Sequence, residues 1–213
     1  MEFVCEAAPL PKFRNILDAC CGMGRHACAL AKRGYSVIGI DRDADAVAKA
    51  RGSCSNVRFV AADVLDYESG AARFDAVIVM GQSFGHFDTR TNRDVLARLA
   101  RTLRKDGRII LDLWNREFFL THQGGRELKT PRGIVWEDKR VDGDRLFVKL
   151  NYPDRAEERF EWQLFNSSQM SEVAKSVGLF VLLACTNFKK EDVPSPSDSR
   201  IQVVLETVGL RQY

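Results

Sequence analysis

No apolar run in this chain approaches the ~20 residues needed to cross a bilayer, so nothing in the sequence signals a membrane span. The opening residues Met1-Glu2-Phe3-Val4-Cys5-Glu6 lack the apolar core of a secretion signal, and we expect a cytoplasmic protein. Charge of one sign is not in excess. The net charge of +3 is too small to argue for nucleic acid by itself and does not exclude it. None of the six cysteines has zinc-ligand spacing, so we expect no metal site and buried, reduced thiols. A redox or thiol-ligand role for the adjacent Cys20 and Cys21 is the alternative. Histidine is scarce, and of His26, His86 and His122 it is His86 that is the candidate for proton transfer near neutral pH, with His26 in a structural or cofactor-edge role. Internal repeats and low-complexity blocks are also missing.

What is present suits one α/β domain. With 45% hydrophobic and 29% charged residues, the 213-residue chain can bury a sizeable core and is not disordered. Ile16 and Leu17 open a short apolar strand. Gly22 and Gly24 then permit a tight turn with φ > 0 and close approach of a ligand to the backbone. A helix from about Arg25 to Arg33 follows, stopped by Gly34, and a second strand from Tyr35 to Ile40 ends in Asp41. Ligands bind at such carboxyl ends of strands in open α/β sheets.

Gly22-Met23-Gly24-Arg25-His26-Ala27 fits the loose dinucleotide fingerprint G-x-G-x-x-[GA], which alone would suit NAD. Asp18 argues against it, because a carboxylate beside the glycine turn repels a pyrophosphate. It favours a cofactor with cationic groups and no phosphate, such as S-adenosylmethionine (SAM). The chain resembles the class I SAM-dependent methyltransferases of the small-molecule type. The resemblance rests on Leu17-Asp18-x-x-Cys21-Gly22-x-Gly24-Arg25-His26, Val37-x-Gly39-x-Asp41, Ala62-Asp63, Phe74-Asp75-Ala76-Val77 and Leu103-Arg104-Lys105-Asp106-Gly107-Arg108. These run in the family's order from Ile16 to about Leu113; one departure is Cys20, where the family often has a glycine.

The resemblance implies a Rossmann-like α/β fold: a seven-stranded, mostly parallel sheet with helices on both faces. The alternation of strands and helices agrees. Asp43 should cap a helix through Arg51; Val57–Ala61 and Phe74–Met80 read as strands, Thr89–Arg104 as a helix and Arg108–Leu113 as the fifth strand. After Trp114 the pattern changes to three short strands, at 134–140, 146–152 and 159–165, an antiparallel insertion at about 126–165. Val141 to Asp144 and Pro153 to Arg155 supply the turns. A helix capped by Ser167 or Ser168 and ended by Gly178, then strands at Leu179–Ala184 and Ile201–Val208, close a single domain, 1–213. Only about fifteen residues precede the first strand, fewer than the family's usual covering helices need.

The resemblance also assigns a cofactor site. Asp18 would hold the methionyl amino group, Gly22 and Gly24 would let SAM lie on the backbone, and Cys20 and Arg25 flank that turn. Asp41 would accept both ribose hydroxyls, since a carboxylate is acceptor-only. Arg42 would cover the adenine, Asp63 would accept from its amino group with Val64 beside it, and Met80 would touch the adenosine. Gln82-Ser83-Phe84-Gly85-His86-Phe87 stands where base-modifying relatives carry Asn/Asp-Pro-Pro-Tyr/Phe, which is absent here. His86 is the candidate catalytic base. Trp114, Asn115, Arg116 and Glu117 could line the acceptor pocket, and Trp136, Tyr152 and Trp162 could close it. The expected partner is a small-molecule acceptor, with a homodimer as a candidate assembly. The rivals are an RNA or protein methyltransferase, suggested by the arginines of 90–105, a non-catalytic SAM-binding subunit, and an NAD-binding protein.

Overall fold

The computed structural model describes residues 1–68, 70, 73–131, 133–154 and 156–207. A short helix, α1 (Glu2–Ala7), precedes β1 (Asn15–Ala19), α2 (Arg25–Ala31), β2 (Ser36–Asp41), α3 (Ala44–Ser53), β3 (Arg58–Ala61) and β4 (Phe74–Val79). Then come α4 (Thr89–Thr102), β5 (Leu103–Trp114) and α5 (Arg116–Thr121). Four strands follow: β6 (Gly124–Thr130), β7 (Gly133–Asp142), β8 (Arg145–Asn151) and β9 (Glu157–Gln163). The described residues end with α6 (Ser167–Ser176), β10 (Leu179–Cys185) and β11 (Arg200–Thr207).

The seven-stranded sheet has the order β10-β11-β5-β4-β1-β2-β3. Strands β5, β4, β1, β2 and β3 are mutually parallel, and β11 runs antiparallel between β5 and β10. Apolar residues on both faces explain the parallel centre: Ile16 and Leu17 of β1, and Val77 and Ile78 of β4, are fully buried against helices on opposite sides. The strand order reverses between β1 and β4. That switch point opens a crevice at the carboxyl ends, below which the glycine turn lies. The second sheet, β6-β7-β8-β9, is antiparallel throughout and has its own small core of Phe119, Leu146, Val148 and Leu164.

Several expected boundaries shift, each for a local reason. The insertion has four strands over 124–163, not three over 126–165; the missed β6 pairs along its whole length with β7 although its own sequence is polar and lacks strand alternation. Helix α4 stops at Thr102, because Leu103 already pairs with Phe74, and the fifth strand starts there instead of at Arg108. Helix α6 is capped by Asn166, not Ser167 or Ser168: Asn166 accepts from the Gln169 amide, and Gln169 reaches back in a complete capping box. Asp43 caps α3 as expected, accepting from the Asp45 and Ala46 amides. Helix α1 was not foreseen; Phe3, Val4 and Ala7 bury against the main core and bring it to the crevice edge. Val208 and Arg155, expected in a strand and a turn, lie outside the described residues. Among the described residues no helix is long and apolar enough to cross a membrane.

Candidate functional site

The site grows out of the turn after β1. Cys20 takes φ +61°, Gly22 φ +52° and Gly24 φ +76°, so the chain reverses through three left-handed residues before α2. Glycine adopts that conformation without the cost of ~1 kcal/mol that a Cβ incurs, which explains why the family favours glycine where this chain has Cys20. Burial pushes the Cys20 thiol up to about 12, which disfavours the thiolate at neutral pH. Gly24 (φ +76°) answers a packing demand: an added Cβ would lie 2.5 Å from Phe59. At Gly22 an added Cβ would meet nothing within 4 Å. The backbone there faces open space, the cradle a ligand lying on this turn requires.

Three carboxylates organise this turn. Asp41, at the end of β2, accepts from the Gly22 amide at 2.7 Å and the Asp43 amide at 2.9 Å. Asp63, beyond β3, accepts from the Leu65 amide at 2.9 Å; no helix starts there, so it ties a turn and leaves acceptor capacity facing the crevice. Asp18 is 1% exposed and receives the Ala27 amide at 3.0 Å, tying β1 to the first turn of α2. It is therefore no solvated turn acid. Burial pushes its carboxyl up to about 7, with the nearby Asp41 charge adding to the rise and the Ala27 bond opposing it.

Asp18 makes stability depend on pH. Its value rises from 3.8 in the unfolded chain to about 7 when folded, so the folded state holds a proton that the unfolded state has lost across that window. Stability of the ligand-free protein therefore falls as pH rises from about 4 to 7, by up to about 4 kcal/mol. Asp18→Asn keeps an acceptor for Ala27 and carries no charge. Urea unfolding should find it up to about 4 kcal/mol more stable than wild type at pH 8 and nearly equal at pH 4. The same difference at both pH values would show that folding leaves the Asp18 carboxyl unshifted.

Cys20, Asp41, Arg42, Asp63, Val64 and His86 line one cavity of about 210 Å³ together with Ser83 and Phe87. Arg25 and Met80 line a second, of about 360 Å³, with His26, Gly81, Asp112, Arg200 and the α1 residues Phe3 and Val4. The two flank the glycine turn. Acceptor-only carboxylates toward one cavity and a cationic rim toward the other suit a ligand with a hydroxyl-bearing middle and a zwitterionic end. The donor set thus fits SAM, and Asp41, Asp63 and Gly22 are the residues that would hold it. His26 is held neutral, its pKa lowered to about 4 by burial and the adjacent Arg25.

The segment 82–87 is held from outside. Asp112, fully buried in β5, accepts from the Gly81 amide at 3.0 Å and Gln82 Nε2 at 2.6 Å. It also accepts from Gln202 Nε2 at 2.8 Å and, through both carboxylate oxygens, from Arg200. This network was not anticipated, yet its signal stands in the sequence: one acid inside the apolar run Ile109-Ile110-Leu111-Asp112-Leu113. Further along, the Gly85 carbonyl accepts from the Gln163 amide at 2.7 Å, and the Phe87 carbonyl accepts from Arg145 at 2.6 Å. The insertion thereby fixes the loop carrying His86. Trp162 donates its indole N–H to His86 Nε2 at 3.0 Å and to the Gln82 carbonyl at 3.2 Å. Indole is donor-only, so His86 Nε2 is unprotonated; desolvation lowers its pKa, against the opposing effect of a bond to the Glu161 backbone.

The proposed pocket-closing aromatics separate. Trp162, together with Trp114 of the expected pocket lining, borders a third cavity, aromatic with charged residues at Arg126, Glu137 and Lys139. Trp136 is 48% exposed and lies over Gly125, while the Tyr152 hydroxyl donates to Glu158 at 2.9 Å. Asn115 caps α5 and donates to the carbonyls of Ser195 and Asp198, holding the loop before β11.

A methyltransferase-domain family model matches residues 16–107, the stretch from β1 into β5 that carries the glycine turn and the strand-end acids. Residues 16–107 are a methyltransferase domain, and the fold is that of the class I SAM-dependent methyltransferases. It is 33% identical over 153 residues to a glycine/sarcosine N-methyltransferase of Aphanothece halophytica, covering 67% of this chain and 57% of that one. It is 33% identical over 105 residues to the dTDP-3-amino-3,6-dideoxy-alpha-D-glucopyranose N,N-dimethyltransferase of Streptomyces fradiae, covering 49% and 42%. The chain spans about half the length of the curated relatives it matches. Among solved structures, the CcbJ methyltransferase of Streptomyces caelestis superposes with a TM-score of 0.82 at 16% identity, covering 97% of this chain and 87% of that one. At that identity the likeness speaks for the fold.

Proposed function

We propose that this methyltransferase moves a methyl group from SAM to a nitrogen of a small metabolite. The observation that carries the reading is the convergence of Asp41, Asp63, Cys20 and His86 on one cleft beside the open backbone at Gly22. SAM, when bound, supplies an already activated methyl on a sulfonium. The protein's work is then to orient the acceptor and exclude water. In this reading Asp41 holds the ribose, Asp63 and Val64 read the adenine edge, Asp18 faces the amino group, and Gly81 and Gln82 border the reacting centre. Arg42 covers the adenine and Arg25 guards the opposite end, with Met80 against the adenosine. The N-methyltransferase names of the matched relatives support nitrogen as the accepting atom. Free cysteines support a reducing, cytoplasmic setting. Exposed Ile134 and Trp136 on the four-stranded sheet support pairing of two chains.

The test is label from tritiated-methyl SAM offered to a fractionated extract. Label in the small-molecule fraction supports the reading; label in RNA or protein replaces it with a macromolecular methyltransferase, and no label alongside S-adenosylhomocysteine (SAH) binding leaves a binding subunit.

His86 accepts the proton that the acceptor nitrogen sheds. Its Nε2 lone pair points at Trp162, so the indole bond opens as the acceptor N–H takes over. His86→Ala should lower kcat by about 10²-fold or more and remove the acidic limb of the pH profile. An unchanged kcat with a raised KM would make His86 a positioning residue.

A further inference from the structure

Between the four-stranded sheet and the rim of the main sheet lies a cavity of about 410 Å³. Its walls are Trp114, Phe118, Phe119, Leu146, Phe160 and Trp162, with Leu128, Val148 and Leu150 on the insertion side. Trp114 stacks edge-on to Phe119 at 5.3 Å and to Trp162 at 6.3 Å, so the aromatic wall is continuous. Trp162 lines this cavity, and its indole N–H reaches Gln82 and His86 at the cofactor cleft. Trp162, from the wall of one space, is thus bonded to His86, from the wall of the other. Glycine is too small to fill such a volume and too polar for such walls.

The charged residues of the cavity decide what else it wants. Arg126 and Lys139 both contact the same oxygen of Glu137. Their hydrogen bonds outweigh burial and keep that carboxylate ionised, its pKa below the usual range. Two cations against one carboxylate leave the lining with a net positive charge. Trp114 adds a buried indole N–H with no hydrogen-bond partner among the described residues, a donor lacking an acceptor.

We propose that the methyl acceptor is an amphipathic anion: an apolar or aromatic body seated among Trp114, Phe119, Phe160 and Trp162, with a carboxylate or similar anionic group directed to Arg126 and Lys139. This rests on the methyltransferase reading and names the substrate class it left open. The acceptor's body would lie against Trp162, so its nucleophilic end emerges beside Gln82 and His86.

Two of the protein's three tryptophans line the cavity, so their fluorescence reports occupancy. The test titrates the whole chain with 3-phenylpropanoate, with 3-phenylpropylamine (the same body with the opposite charge) and with glycine, and separately with SAH. Phenylpropanoate should bind at least tenfold more tightly than the amine, and glycine should leave the signal unchanged. Lys139→Gln should reduce that preference at least fivefold and Glu137→Gln should increase it. Arg126, whose side chain is mostly exposed, supplies a second charge-removing variant, Arg126→Gln, with little risk to the fold. Equal or tighter binding of the amine or glycine, or a preference unaffected by both charge-removing variants, overturns the proposal while SAH binding keeps the methyltransferase reading. Phenylpropanoate binding without SAH binding leaves a ligand cavity that serves no methyl transfer, and overturns the proposal at its premise.

Discussion

Replacing Asp41 by alanine should weaken SAH binding at least a hundredfold in calorimetric titration while the protein still unfolds cooperatively. The size follows from what the carboxylate can do. Hydrogen bonds to a charged acceptor contribute about 1.5–3 kcal/mol each, and two ribose hydroxyls meeting Asp41 give about 3–6 kcal/mol. A hundredfold change in affinity corresponds to about 2.7 kcal/mol, just below that range and so a lower bound on the loss. The same side chain fixes the turn, because Oδ2 receives the Gly22 amide and Oδ1 the Asp43 amide. Alanine leaves the Gly22 N–H without its acceptor in a partly buried setting, at a cost of about 1 kcal/mol in stability. Asp41→Asn separates the two roles. It keeps one acceptor oxygen for Gly22 but offers an NH₂ where a second hydroxyl should donate, so stability recovers more than affinity does. Affinity within threefold of wild type in Asp41→Ala would falsify the ribose assignment.

Asp112→Ala should cost about 3–5 kcal/mol of unfolding free energy in urea, with an unchanged m-value, and should weaken SAH binding as well. The carboxylate has no exposed surface and gathers the Gly81 amide, Gln82, Gln202 and Arg200. Deleting it strands several donors in the core and removes the partner of a guanidinium. Breaking a buried pair on one side costs more than the pair contributes, since the remaining charge stays desolvated. Arg200 retains 36% side-chain exposure and can turn toward water, which moves the expectation to the lower end. Loss of SAH affinity follows because Gln82 sits at φ +58°, a conformation its side-chain bond to Asp112 helps to hold. Adding Arg200→Met to Asp112→Ala should recover part of the lost stability, the sign of a coupled pair. A loss below about 1 kcal/mol would mean that the loop after β4 is held by the insertion alone.

These two acids differ in how far they could be read in advance. Asp41 ends an apolar strand twenty residues or so after a glycine turn, and both its position and its acceptor chemistry are local facts. Asp112 stands in an apolar run and betrays a buried polar network, but its partners are 30, 31, 88 and 90 residues away in the chain. No periodicity carries that information. His86 was visible as a scarce residue in a loop at the right strand end; its bond to Trp162 spans 76 residues and was not visible. The strand β6 escaped for a related reason, since most of its residues are exposed and it owes its conformation to pairing with β7.

The amino-acid sequence alone determined the alternation of strands and helices, the glycine turn after β1, the acids at the ends of β1, β2 and β3, the Asp43 cap, and with them the cofactor class. Each depends on neighbouring residues, on backbone sterics at glycine and on charge beside a turn, which act over a few positions. Tertiary structure decided which way the segment 82–87 faces, that Asp18 is buried and shifted toward neutrality, and that Gly24 serves packing against Phe59 while Gly22 faces open space. It alone assembled the aromatic cavity with its excess positive charge, from strands 124–163 folded back over the rim. Burial and long-range hydrogen bonds are properties of surfaces brought together by the whole chain, and no window of sequence contains both sides.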